Sequence, residues 1–167
     1  MVILGLGSNV GDRLANLRKA VADITPLLTN IKSSSIYESK ALLPAGSPSD
    51  WDNAFLNMVI CGGTTMEPHT LLKAIKDLED KIGRKRRGHW APREIDIDIL
   101  AMDDETIKTD MLAIPHPEML KRDFVMVPLA EILPNWVHPE HKKTASELVK
   151  DKGYTIGDSL KVMHESA

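Results

Sequence analysis

The sequence predicts an α+β fold, an antiparallel sheet carrying helices. Three observations point to it: strand and helix patterns alternate in a set order, two stripes of apolar residues recur at helical spacing, and one run alternates acidic with aliphatic residues. The 167 residues are 43% hydrophobic and 27% charged, so a single domain over residues 1–167 is expected, with a core large enough to hold it together.

Val2 to Leu6 reads as a buried strand that runs into a glycine-rich segment, Gly5 to Asp12, expected to be a tight strand-to-helix turn. That segment lacks the Gly-Lys-Ser/Thr of a P-loop and the spacing of a dinucleotide fingerprint. Leu14, Leu17, Val21, Ile24 and Leu28 then form the stripe of an amphipathic helix. Ile31 to Tyr37 reads as a strand, Ala41 to Asp52 as a loop rich in Pro, Ser and Asp, and Ala54 to Ile60 as another strand. Pro68 suits the first turn of a second helix, whose stripe is Leu71, Leu72, Ile75, Leu78 and Ile82 and whose stop is Gly83. Glu94 to Ala101 is a strand with two unlike faces. The order strand, helix, strand, strand, helix, strand is that of the ferredoxin-like β-α-β-β-α-β sandwich, with helices expected on one side of the sheet. Beyond Ala101 come extra C-terminal elements, short and Pro-rich, with a short helix from Thr144 to Lys150.

Composition excludes several classes. A formal net charge of −3 does not suit a general polyanion binder, so any phosphate chemistry needs a local basic patch. Cys61 is the only cysteine, which rules out an intramolecular disulfide framework; its apolar neighbours point to a buried thiol. No apolar stretch approaches the ~18 residues of a membrane span, and the start of the chain lacks the pattern of a signal peptide. A cytoplasmic location is expected, with neither membrane nor nucleic acid as a partner.

Asp96 and Asp98 sit two apart on the predicted last strand, so their side chains share a face, while Ile95, Ile97 and Ile99 take the other. Two carboxylates at roughly 4 Å repel by about 4 kcal/mol at an effective dielectric near ~20. A divalent cation turns that repulsion into attraction, and hard oxygen ligands suit Mg²⁺. Taken alone, the pair could equally be solvated. The preceding segment argues for function: six of the 21 basic residues, among them Arg84, Arg86 and Arg93, fall within Lys81 to Arg93 around Trp90. Guanidinium groups beside a carboxylate pair are the parts that phosphoryl transfer needs. Phe55 and Asn57 share a strand face, an apolar plate beside an amide, although a core role suits Phe55 as well.

These segments together resemble the 6-hydroxymethyl-7,8-dihydropterin pyrophosphokinase family of folate biosynthesis. The resemblance rests on His89-Trp90-Ala91-Pro92-Arg93-Glu94-Ile95-Asp96-Ile97-Asp98-Ile99-Leu100, supported in order by Leu6 to Asp12, Phe55-Leu56-Asn57 and Ile114-Pro115-His116-Pro117 through Arg122-Asp123-Phe124. It covers roughly Val2 to Leu148. It implies Mg²⁺-dependent transfer of pyrophosphate from ATP, as co-substrate, to the hydroxymethyl group of the pterin, with release of AMP. It further implies that Asp96 and Asp98 hold two Mg²⁺ ions, that Arg84 and Arg93 clamp phosphates, and that Arg86 and Trp90 order the ATP-side loop. By the same resemblance, Glu79, His116 and Arg122 contact ATP, Ile99 its adenine, Phe55 and Phe124 sandwich the pterin, and Asn57 reads its polar edge. A monomer without the second domain of the fused forms is expected. The chain departs from the family at Lys76, His89, Phe55 and Pro117, and its Ser39–Trp51 loop is longer than usual. Two other readings of the same residues are an RNA-binding module of similar element order and a nucleotidyl transferase with paired aspartates.

Overall fold

The computed structural model describes residues 1–85, 87, 88, 90–157 and 159–163. Arg86 and His89, both singled out in the sequence, lie outside the described residues. The elements in chain order are β1 (Val2–Ser8), α1 (Arg13–Ile24), β2 (Thr29–Ser33), β3 (Ile36–Ser39), β4 (Phe55–Gly63) and α2 (Pro68–Ile82). These are followed by β5 (Asp96–Met102), β6 (Ile107–Lys108), β7 (Ala113–Ile114), α3 (Asp123–Ile132), α4 (Ala145–Lys152) and β8 (Leu160–Met163). The main sheet has the order β5-β1-β4-β3-β8, with β2 also paired to β4 and every pairing antiparallel.

Local chemistry explains the helix ends. Asp12 caps α1 by accepting from the Ala15 N–H, and Thr144 with Glu147 forms a reciprocal capping box on α4. Gly83 ends α2 in the left-handed region, φ 110°, a conformation that a side chain resists. Its consequence is functional, because this turn directs Arg84 back toward the sheet.

Alternation along the strands feeds two cores. Val2, Leu4, Leu6, Leu56, Met58, Ile60, Ile95, Ile97 and Ile99 pack against Leu17, Ala20 and Ile24 of α1 and Leu71 and Ile75 of α2. Ile3, Val59, Cys61, Leu100 and Ala101 face the other way, onto Met119, Val125, Met126, Leu129, Ala145 and Leu148. The expectation of helices on one side only is therefore corrected: α3 and α4 cover part of the second face. The ten-residue α3 was hidden by Pro128, which sits inside it and removes one N–H from the ladder. A register shift in the β1–β5 ladder, where Leu4 faces Ile99 but Ile3 faces Ala101, lets Leu100 and Ala101 enter the same core. Cys61 lies in this second core, 3% exposed, and burial pushes its thiol up.

Two other boundaries differ from expectation. The strand read over Ile31 to Tyr37 is split into β2 and β3, because the Ser34 hydroxyl takes the Val59 N–H at 3.0 Å in place of a backbone partner. Strand β8 adds an edge beside β3 that the short Leu160–Met163 segment did not announce. On the second face, Glu131 of α3 accepts from Ser35 N at 3.0 Å and from the Tyr37 hydroxyl at 2.8 Å, fastening α3 across β3.

Because Leu129 is fully buried between α3 and the sheet, Leu129→Ala should cost about 2–5 kcal/mol in urea unfolding. A loss below about 0.5 kcal/mol, the range of surface substitutions, would mean that α3 does not pack there.

Candidate active site

The part of the second face that α3 and α4 leave open forms a cavity. Its floor follows from the register: Gly7 of β1 pairs with Asp96 of β5 on one side and Asn57 of β4 on the other, and Gly5 stands likewise between Asp98 and Val59. One row across the sheet therefore reads carboxylate, glycine, amide. With strands roughly 5 Å apart, the missing side chain opens a gap of about 10 Å between Asp96 and Asn57. A Cβ at Gly7 would stand 3.2 Å from Asn57 Oδ1 and 3.4 Å from the Phe55 ring. The two glycines are thus the floor of a site inside β1, not part of the turn the sequence suggested; that turn begins at Asn9.

One end of the cavity is acidic. Strand β5 is an edge strand, so its outward backbone groups need partners, and α2 supplies them: Glu79 accepts the Ile97 N–H at 2.7 Å, and Lys76 donates to Ile97 O at 3.4 Å. Glu79 is 2% exposed, holds Lys76 at 3.0 Å, and lies 2.5 Å from Arg84 Nη1. Arg84 in turn reaches Asp96 Oδ1 at 2.8 Å, and Arg93 reaches Asp96 Oδ2 at 2.6 Å. Burial works against the Asp96 charge, but Arg93, Arg84 and Lys76 together outweigh it and hold its carboxyl below the usual range. For Asp98 the balance tips the other way, although Lys76 and Arg122 also pull its carboxyl down. Burial, then the neighbouring Asp96, push its carboxyl up, against a weaker pull from His116, whose Nε2 is 3.9 Å away. His116 accepts the Glu118 N–H on Nδ1 at 3.1 Å, which leaves Nε2 as the nitrogen facing Asp98. Burial lowers the His116 value, favouring a neutral ring. Burial likewise raises the Glu79 carboxyl, against Lys76, the Ile97 N–H and Arg84.

The other end is aromatic. Phe55 and Phe124 both line the cavity with Asn57, and Arg122 stands over the Phe124 ring at 5.9 Å. Arg93, Trp90, His116 and Arg122 complete the rim; Trp90 is 44% exposed and adopts φ 67°. The structure thus brings Asp96, Asp98, Arg93, Trp90, His116, Arg122, Phe55, Asn57 and Phe124 to one cavity. Arg84 and Glu79 lie behind it, reaching it through Asp96. The Ile99 side chain is 4% exposed in the helix-facing core, on the opposite side of β5 from the aspartates. Sequence reasoning missed Gly5, Gly7, Ser39, Lys40, Leu42 and Leu100, which also line the cavity. For the glycines the signal was there, an i, i+2 spacing that places both on one strand face.

The basic loop is tied at both ends. Glu94 accepts from Lys85 N at 3.1 Å and from both Arg87 terminal nitrogens, at 3.1 and 2.5 Å. Asn9, 5% exposed, accepts from Arg93 N at 2.7 Å and donates to Asn53 O at 3.2 Å, joining this loop to the segment that enters β4.

A family model for 7,8-dihydro-6-hydroxymethylpterin-pyrophosphokinase matches residues 3–134. The chain belongs to this family. Its members are enzymes that transfer diphosphate, and the pyrophosphokinase fold is ferredoxin-like. An Aquifex aeolicus 2-amino-4-hydroxy-6-hydroxymethyldihydropteridine pyrophosphokinase is 47% identical over 146 residues, 87% of this chain and 88% of that protein. A Bacillus subtilis protein of the same name is 43% identical over 131 residues, 77% and 75% of the two chains. A Chlamydia trachomatis folate synthesis bifunctional protein is 40% identical over 136 residues, but this chain spans 30% of its length. Among solved structures, a Plasmodium falciparum HPPK-DHPS with pterin and p-hydroxybenzoate aligns with a TM-score of 0.68 at 17% identity, over 90% of this chain and 41% of that one. That likeness concerns the fold. For this pyrophosphokinase family member, the described residues include no helix long and apolar enough to cross a membrane.

If the glycine floor is a contact surface, Gly7→Ala should raise KM about tenfold for the ligand held between Asp96 and Asn57. Its Tm should shift by only a few degrees, since a misplacement of about 1 Å is enough to matter. An unchanged KM would mean that the floor touches no ligand. The Glu94 carboxyl is held at about 2, first by the Arg87 hydrogen bonds and then by the Lys85 N–H. Its folded value is depressed, so the stability it contributes is present above its ordinary value and lost as pH falls toward about 2. In unfolding experiments, the gap between wild type and Glu94→Gln should narrow as pH is lowered through this window; a constant gap contradicts the assignment.

Proposed function

We propose that this protein transfers the pyrophosphoryl group of ATP to the hydroxymethyl oxygen of 6-hydroxymethyl-7,8-dihydropterin, with Mg²⁺, and releases AMP. The observation that carries the reading is the row Asp96–Gly7–Asn57, which sets a carboxylate pair and a ring-binding wall on either side of a bare strand. A flat bicyclic ligand fits between Phe55 and Phe124, with the Asn57 amide against its polar edge and its hydroxymethyl arm toward the aspartates.

The donor set suits Mg²⁺: two carboxylate groups on one strand face, one of which is pushed toward its neutral form by desolvation and by its like-charged neighbour. Held by Asp96 and Asp98, two Mg²⁺ ions would neutralise phosphate oxygens and lower the pKa of the attacking hydroxyl, so that no protein base is required. Arg84 and Arg93, each resting on Asp96 through one terminal nitrogen, would pass to the phosphates as ATP arrives, exchanging carboxylate for phosphate. Glu79 would keep Arg84 from swinging into solvent. His116 and Arg122 would flank the triphosphate across the cavity from the basic loop, to which Trp90 and Arg86 belong. The hydroxymethyl oxygen attacks the β-phosphorus in line, a new O–P bond forms, the α–β bridge breaks, and AMP leaves.

Chromatographic assay with ATP, Mg²⁺ and the pterin should show AMP rising with the diphosphorylated pterin. Asp96→Ala and Asp98→Ala should each lower turnover by at least about 100-fold in folded protein. Pyrophosphate in place of AMP would instead indicate nucleotidyl transfer, and wild-type rates in either variant would remove the metal role.

A further inference from the structure

Two cations meet the buried carboxylate of Glu79, and they are held in different ways. Lys76 sits inside α2, one turn before Glu79. Its Nζ meets both carboxylate oxygens, at 3.1 and 3.0 Å, and Ile97 O at 3.4 Å. The lysine is thus fixed by its own helix and by the edge of β5. Arg84 stands outside the helix, past the Gly83 turn, and its Nη1 is shared between Glu79 and Asp96. Of the two, the arginine is the cation that can leave.

The two carboxylates that Arg84 touches are left in different positions once it moves to a phosphate. Asp96 would meet the incoming Mg²⁺. Glu79 lies behind the cavity and is 2% exposed, so neither metal nor solvent takes the arginine's place. It would keep only the Ile97 N–H and Lys76. Burial pushes its carboxyl up, and Lys76 is the strongest of the pulls against that, ahead of the Ile97 N–H and Arg84. A buried carboxylate stripped of its last cation is strongly penalised, so without Lys76 the departure of Arg84 would work against nucleotide binding.

We infer that Lys76 is a positioning residue, the resident counter-ion of Glu79 that frees Arg84 to exchange carboxylate for phosphate. It acts through Glu79 and Arg84 and need not touch the nucleotide. This deepens the proposed ATP-dependent transfer and rests on it.

The test measures kcat and both KM values in wild type, Lys76→Gln and Lys76→Arg, and repeats the Lys76→Gln step in a Glu79→Gln background. Lys76→Gln removes the charge but keeps a donor; KM for ATP should rise about tenfold, with kcat and KM for the pterin within about twofold, a coupling expected of contacting charges. Lys76→Arg keeps the charge and should hold KM for ATP near wild type. With Glu79→Gln there is no buried charge to compensate, so the Lys76 effect should fall below about twofold. An effect of the same size in that background would mean that Lys76 draws the triphosphate directly, and would overturn the inference. So would an unchanged KM for ATP in Lys76→Gln, or an arginine variant as impaired as the glutamine one. Thermal unfolding without nucleotide gives a second reading: Arg84→Ala should lower Tm more in Lys76→Gln than in wild type, and equal drops would contradict the shared role. A wild-type protein that forms no AMP from ATP and the pterin would instead overturn the underlying activity, an outcome the wild-type arm reports by itself.

Discussion

Two like charges on one strand face, Asp96 and Asp98, set the terms for everything around them. Both side chains are partly buried, and two carboxylates so placed need positive charge nearby. The structure satisfies them unequally. Asp96 holds two guanidinium groups, whereas Asp98 meets His116 Nε2 at 3.9 Å and feels Lys76 and Arg122 more weakly. The unequal treatment divides the pair: guanidinium groups hold the Asp96 carboxyl below its usual range, while desolvation and Asp96 push the Asp98 carboxyl up.

The position of β5 at the edge of the sheet supports this arrangement. An edge strand leaves backbone groups open, and α2 meets those of Ile97 with Glu79 and Lys76. The same Glu79 that closes the strand edge also anchors Arg84. A structural contact and the charge network are thus one object. On the other side, the strand pairing places glycines between the acidic and aromatic ends, so an absence of side chains does as much as their presence. Asn9 then links the end of the basic loop to the entry of β4 through a single buried amide.

Much of this was legible in the sequence because it depends on local periodicity. Alternation alone separated Asp96 and Asp98 from Ile95, Ile97 and Ile99, and the structure keeps that division. The parts not legible depend on pairing between distant segments. Gly5 and Gly7 looked like a turn until their partners on β4 and β5 were known. The helix through Pro128 broke the usual rule, and with it the covering of the second sheet face was hidden. Ser39 and Lys40 belong to a loop boundary whose register only β4 defines.

The central claim is that the aspartate pair exchanges arginine for metal when nucleotide binds. The most direct measurement titrates Mn²⁺, in place of Mg²⁺, into the protein with a non-hydrolysable ATP analogue and the pterin, following bound ion by electron paramagnetic resonance. Two protein-dependent sites are predicted in wild type, with Asp98→Asn losing at least one of them. Equal uptake by wild type and Asp98→Asn would contradict the account.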